Sequence, residues 1–286
     1  MELLKWIDIN NLNWSELSKN YNAIELLYKN QDKINWFALS KNINGLIILK
    51  ENPDKINWTL LSENPNAVDY LLTEKPDKIN WYMFSKNPNP EAINFLKKNP
   101  DKINWSGLSI NPNAIELLKR NSSKIDWHLL GFNENALILY DLYPDKINWT
   151  SVSANPGAIF LLEMNENKIN WNYLSRNPAA INLLKNNPDK IDWCELSLNP
   201  NAISLLKANQ DKINWHYLSS NPCAISLLEK NIDKINWCEL SKNPGIFKKK
   251  RNIVIRVISY IYKNIVNFYK YFDDCHYKNQ YYCSYY

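Results

Sequence analysis

Residues 170–191 read N-W-N-Y-L-S-R-N-P-A-A-I-N-L-L-K-N-N-P-D-K-I, and variants of this segment fill most of the chain. Tryptophans at 14, 36, 58, 81, 105, 127, 149, 171, 193, 215 and 237 mark its recurrence, 22 residues apart except around Trp81, where the steps are 23 and then 24. The single extra residue falls within 67–72, and the two-residue excess is Pro90 and Glu91. Self-similarity at a fixed period signals a stack of supersecondary units. Ten units run to full length, and an eleventh begins at Asn236 and breaks off after Pro244. Residues 2–12 loosely resemble the second half of a unit, so the chain is expected to begin partway through one.

Each unit reads as two short helices. The residue before every one of these tryptophans is Asn or Asp, as at Asn35, Asn57, Asp126 and Asp192. Such a side chain accepts hydrogen bonds from the first free amides of a helix. Helix A then runs from the Trp, with Trp and Leu three apart on one face. Asn-Pro follows, as at Asn111 and Pro112, an N-cap with proline at a position where its missing N–H costs nothing. Helix B carries A-I-x-L-L, as in Ala114, Ile115, Leu117 and Leu118. An Asn and the D-K-I segment turn the chain toward the next cap. Isolated helices shorter than about 12–15 residues are marginal in water, so the units must bury their apolar stripes on one another. The fold class is all-α: an α-solenoid of about eleven helix-turn-helix repeats over 1–247. Trp, Leu, Ala, Ile and Leu are expected core, with removal of a central Trp costing roughly 3–5 kcal/mol. The recurring asparagines are placed to add a hydrogen-bonded ladder along the stack.

Charge separates the body from the tail. Residues 248–286 hold eight Lys/Arg against Asp273 and Asp274, a net +6, which leaves 1–247 at −1. A repeat domain that follows phosphates would show the reverse, so nucleic acid is not the expected partner. Five cysteines are too few and too irregular for a disulfide framework. The start MELLKWID has no signal-peptide character. A reducing, intracellular and cytoplasmic setting is the expectation.

After Pro244 the pattern ends. Lys248, Lys249, Lys250 and Arg251 precede an apolar stretch to about residue 272, whose polar positions 252, 256, 259, 263, 267 and 270 fall on a helical stripe. This amphipathic C-terminal helix has three readings: a cap on the last repeat, a membrane-surface helix drawn to anionic lipid by its basic run, or a docking helix for another protein. Arg256 and Lys263 count against a spanning helix.

No catalytic, cofactor-binding or metal-binding constellation emerges. Cys194, His216 and Cys238 occupy the same position in three consecutive units, but packed helices lie about 8–10 Å apart. Zinc needs its ligands about 2.0–2.3 Å from one centre. Five glycines give no phosphate loop, and His128, His216 and His276 have no triad partners at interpretable spacing. One lysine recurs in each unit (Lys33, Lys55, Lys78 and onward to Lys234). Eight of the ten follow an Asp, which cancels most of the field they could offer a phosphate backbone.

The unit quoted above resembles tandem-repeat proteins expanded in the giant, mimivirus-like DNA viruses of amoebae, over about residues 13–244. The Asn-, Lys- and Ile-rich composition agrees with an A+T-rich genome. The resemblance implies a helical-repeat fold and carries over no functional residue. The expected function is a non-enzymatic scaffold that binds a protein through the variable positions one and two after each Trp: Phe37, Tyr82, His128, Tyr173, Glu195, Tyr217 and Glu239. Such a mixed aromatic and charged row suits protein recognition. The alternative is a membrane-associated or virion structural protein tethered through 248–272.

Overall fold

The computed structural model describes residues 1–249. Met1 and Leu3–Phe247 form one compact unit. Its eleven A helices run from Trp14–Leu17 to Trp237–Ser241 and its ten B helices from Ile24–Tyr28 to Ile225–Glu229. Repeats are numbered 1 to 11 by their tryptophans. All eleven Asn or Asp residues before those tryptophans cap their A helices, the side chain accepting from the amide three residues on. Asn-Pro opens the B segment in seven of the ten full repeats, through a 3-10 turn at Pro112–Ala114 for example. The Pro90 and Glu91 insertion lengthens one B helix to nine residues, Pro90–Lys98. The Asn at the end of helix B closes it: Asn30 Nδ2 donates to the Leu26 carbonyl four residues back, at 2.9 Å. A 3-10 turn on the D-K-I segment leads to the next cap.

Two polar side chains tie each repeat to the one before it. The Ser four residues after Trp is wholly buried in ten of the eleven repeats. In most of them its Oγ donates to the Trp carbonyl and accepts the amide of the next repeat's cap residue, as Ser18 does with Trp14 (2.8 Å) and Asn35 (3.0 Å). The Asn six after Trp is buried in all eleven. Asn111 is representative: Nδ2 donates to the carbonyls of Ser85 (2.9 Å) and Asn87 (2.7 Å), and Oδ1 accepts the Asn113 amide (3.0 Å). Buried polar groups are tolerated when their capacity is filled, and here it is filled by the neighbouring repeat.

The ladder has no end. Asn20 Nδ2 donates to the carbonyls of Ser241 (3.1 Å) and Asn243 (2.8 Å), 221 and 223 residues away. The Asn13 amide donates to Ser241 Oγ at 2.8 Å, and Asn22 Nδ2 donates to the Pro244 carbonyl at 3.0 Å. Repeat 1 thus stands on repeat 11 as repeat 2 stands on repeat 1, and the body closes into a ring. Eleven repeats share the full circle, about 33° each. The expected half-unit at the start completes the half-unit at the end. Ile9–Asn11 forms the 3-10 turn found on every other D-K-I segment, Leu12 fills the buried Ile position, and the Leu4 amide donates to the Ile246 carbonyl at 2.9 Å. The short strands β1 (Glu2–Leu3) and β2 (Phe247–Lys248) pair alongside. The all-α repeat stack expected from the sequence is thus a closed one. The face of repeat 11 that the first of the three readings of the C-terminal segment would have it cover is occupied by repeat 1.

A ring has a shorter inner than outer circumference. Short Ser and Asn side chains bridge directly to backbone along the A helices, whereas B helices touch through long side chains, as at Tyr28–Glu51 (3.3 Å) and Lys50–Glu74 (3.5 Å). The A helices therefore line the inner wall and the B helices the outer one.

Within each repeat the residue three after Trp, from Leu17 to Leu240, is fully buried, and so is the second Leu of most B helices. The tryptophans depart from expectation. They are only half-buried, and in seven repeats the open ring face lies beneath the lysine of the D-K-I turn. Their removal should accordingly cost less than a core aromatic would. Tyr140 replaces the second Leu of helix B in repeat 6 and is 2% exposed. Its hydroxyl finds no hydrogen-bond partner among the described residues, and burial pushes its pKa well above the ordinary phenol range. Tyr140→Phe is expected to raise stability by about 1 kcal/mol. A urea midpoint that falls instead would show that the hydroxyl is satisfied.

Candidate functional site

The inner wall is built from positions that the core and the caps leave free. Trp begins each A helix, and positions three, four and six beyond it are buried. Positions one and five, four apart and hence on one helix face, turn away from the B layer into the ring. Phe37, Tyr82 and His128 stand at position one and are exposed. Position two is flatter against the neighbouring helix. There Tyr173 is exposed, while Glu195, Tyr217 and Glu239 are half-buried. The seven residues are thus spread around one wall, with Glu195, Tyr217 and Glu239 recessed and the other four outstanding.

The row at position five escaped the sequence reading, although its i, i+4 relation to position one was available. It supplies Lys19, Lys41, Phe132 and Arg176 as exposed side chains. Phe132 packs edge-on to His128 at 5.8 Å between ring centroids. Several charges on the wall are neutralised locally: Lys19 with Glu16 at 2.6 Å, Lys86 with Glu63 of the preceding repeat at 3.0 Å, and Lys242 with Glu239. His216 Nε2 lies 3.9 Å from a Glu239 oxygen. Lys41 has no carboxylate partner among the described residues. It lines a hollow of about 500 Å³ with Lys19, Tyr21, Phe37, Ile43 and Leu60. Tyr21 and Ile43 occupy the position that most later repeats give to proline. Their bulk at this corner, with Phe37, walls the hollow.

Cys194, His216 and Cys238 are exposed at position one of three successive repeats. Cys194 Sγ lies 3.3 Å from Asn214 Nδ2 of the next repeat. Among the described residues no three His, Cys, Asp or Glu side chains converge on a common centre.

The lysine row lies elsewhere. Four of its members pair with the preceding aspartate, at 3.1–3.2 Å (Lys55, Lys78, Lys102 and Lys146). The hydrogen bond from Lys78 holds the Asp77 carboxyl below its ordinary pKa. Seven cover a tryptophan of their own repeat, including Lys190 over Trp171 at 4.5 Å and Lys234 over Trp215 at 4.7 Å. An ammonium over an indole face is held by the ring quadrupole. These lysines are repeat-internal lids on half-buried tryptophans, a role that the sequence reading did not assign.

Of the basic run, Lys248 and Lys249 are exposed, and Lys248 pairs with Glu2 at 3.4 Å. Lys250, Arg251 and the amphipathic segment to residue 272 lie outside the described residues. No helix among the described residues is long and apolar enough to cross a membrane.

No family model, no curated protein and no solved structure matches the chain.

Proposed function

We propose that the chain is a non-catalytic protein-interaction scaffold whose partner binds the A-helix wall of the repeat ring. One observation carries this reading. The lattice of Ser, Asn, Leu and Ala is nearly invariant from repeat to repeat, while the wall positions change from Phe37 to Thr59, Tyr82, Ser106 and His128. A fixed frame with variable side chains on one rigid face separates folding from recognition. Aromatic residues on such a face offer large contact area at low entropic cost. Following the resemblance of the repeat, the partner is a host or virion protein met in the cytoplasm.

The test replaces Phe37, Tyr82, His128, Tyr173 and Tyr217 together by Ser, Thr or Asn, residues that other repeats hold at positions one and two or that are equally small and polar. Tagged full-length protein is then used for capture and mass spectrometry in its native cell. Helicity and the thermal midpoint should stay near those of the wild type, and the partner should be lost. A partner captured equally by both forms removes the wall as the recognition surface.

A further inference from the structure

The outer wall carries a second, localised surface. On helix B the side chains two and six beyond its leading Ala point away from the core. Across repeats 1 to 10 the first of these positions reads Glu25, Ile47, Asp69, Asn94, Glu116, Ile138, Phe160, Asn182, Ser204 and Ser226. The second reads Lys29, Glu51, Thr73, Lys98, Arg120, Leu142, Met164, Asn186, Ala208 and Lys230. Only repeats 6 and 7 are bulky and apolar at both. Ile138 and Leu142 are 43% and 51% exposed, and Phe160 and Met164 are 72% and 68% exposed, the two highest values among the exposed large apolar residues. Each pair is i, i+4, the first on the helix Leu137–Leu142 and the second on Ile159–Glu163 with Met164 at its C-cap, and the two helices belong to adjacent repeats. The four side chains therefore form one patch. Ile47 of repeat 2 stands singly in the same row beside Glu51, whereas a contiguous apolar patch marks a contact surface.

The charge around it changes in the same two repeats. The position between the two apolar residues, one before the second, is Lys97 and Lys119 in the preceding repeats and Lys185 and Lys207 in the following ones, but Asp141 and Glu163 here. Both carboxylates are exposed, and neither has an ion-pair partner among the described residues. Over 126–169 six Asp/Glu face two Lys, a net −4, so the remainder of 1–247 is +3. Two repeats thus hold all of the body's excess negative charge beside its most exposed apolar residues.

We infer that Ile138, Leu142, Phe160 and Met164, flanked by Asp141 and Glu163, dock a basic amphipathic helix of a partner protein. Apolar anchors at helical spacing would lie on the four side chains and Lys or Arg beside them would meet the two carboxylates, as in groove recognition of amphipathic helices. The same charge argues against two other occupants. An anionic lipid surface would be repelled, and a second copy presenting the same patch would set −4 against −4. This site is distinct from the inner wall and stands or falls separately from it.

The probes are a fluorescein-labelled 18-residue Leu/Lys peptide with leucines at helical spacing and its Leu/Glu counterpart, titrated with the full chain in 150 mM salt. The Leu/Lys peptide should bind at least tenfold more tightly than the Leu/Glu one. Ile138, Leu142, Phe160 and Met164 changed together to Asn, the residue that repeat 8 holds at both positions, should weaken Leu/Lys binding at least tenfold. Asp141→Lys with Glu163→Lys, which restores the residue of the flanking repeats, should reverse the preference toward Leu/Glu. An unchanged melting curve for each variant keeps the comparison clean. No binding to wild type, equal binding to the Asn variant, or self-association abolished by that variant would overturn the proposal.

Discussion

Asn111→Leu is expected to lower stability by about 3–5 kcal/mol, more than its modest change in size would suggest. Leucine nearly fills the volume, so little of this loss is a cavity. It arises because Asn111, wholly buried, serves two carbonyls of the preceding repeat and the Asn113 amide of its own. The two carbonyls would remain buried without that partner and the half-buried amide would lose its acceptor, at about 1–3 kcal/mol for each buried group before relaxation. Asn113 is the control. It also reaches back one repeat, to the Pro88 carbonyl, but it does so at the surface, where water can replace it. Asn113→Leu should cost less than about 1 kcal/mol. Urea midpoints and slopes for both variants decide the matter. Equal, small losses would mean that the buried ladder is ornamental and that apolar stacking alone holds the repeats.

Gly131→Ser installs the residue that the other ten repeats carry four after Trp, and it should nevertheless destabilise by about 2–3 kcal/mol. A Cβ at Gly131 would come within 1.8 Å of Ser151 Oγ and 2.5 Å of Ser151 Cβ. Ser151 leans into the space that a serine side chain fills elsewhere, and its hydroxyl bonds instead to Asn148. Flipping the hydroxyl would not suffice, since the Ser151 carbonyl carbon is itself at 3.1 Å. Gly131→Ser combined with Ser151→Gly, the residue repeat 5 uses at this place, frees the site. The new serine can then receive the Asn148 amide, as its equivalents do in the other repeats. The double variant should therefore recover most of the loss, giving a coupling energy of about 2 kcal/mol in a double-mutant cycle. Additive losses would contradict the steric account.

The helical repeat was legible because its signals are local. Asn or Asp before Trp caps a helix whatever surrounds it, Asn-Pro opens the next, and A-I-x-L-L gives the buried stripe. Even the half-units at the two ends could be read from residues 2–12 and 236–244. Closure could not be. It depends on the small difference in spacing between the A and B layers, accumulated over eleven repeats, and no single unit displays that angle. The same angle decides which face is concave, so the wall row could be nominated but not placed inside a ring. Phe37, Tyr82 and His128 follow from helix periodicity. Lys19, Lys41, Phe132 and Arg176 follow from it too and were overlooked because variability was sought only beside the Trp. The lids formed by Lys190 and its equivalents depend on where the D-K-I turn folds back over the indole, a tertiary matter. Among the described residues only Lys55, Lys78, Lys102 and Lys146 pair with the aspartate that precedes them.

Ring closure is the central claim, and a spin-label distance tests it most directly. Ser15→Cys is paired with the native Cys238, the other four cysteines being changed to Ser. The control places Cys at Ser106 and His128, equivalent positions in two covalently consecutive repeats, in a chain otherwise free of cysteine. If repeat 1 stands on repeat 11, both pairs should show the same short-range dipolar broadening, with backbones about 10 Å apart. If the solenoid is open, the control alone should broaden, and the Ser15→Cys/Cys238 pair should report a separation of tens of ångströms.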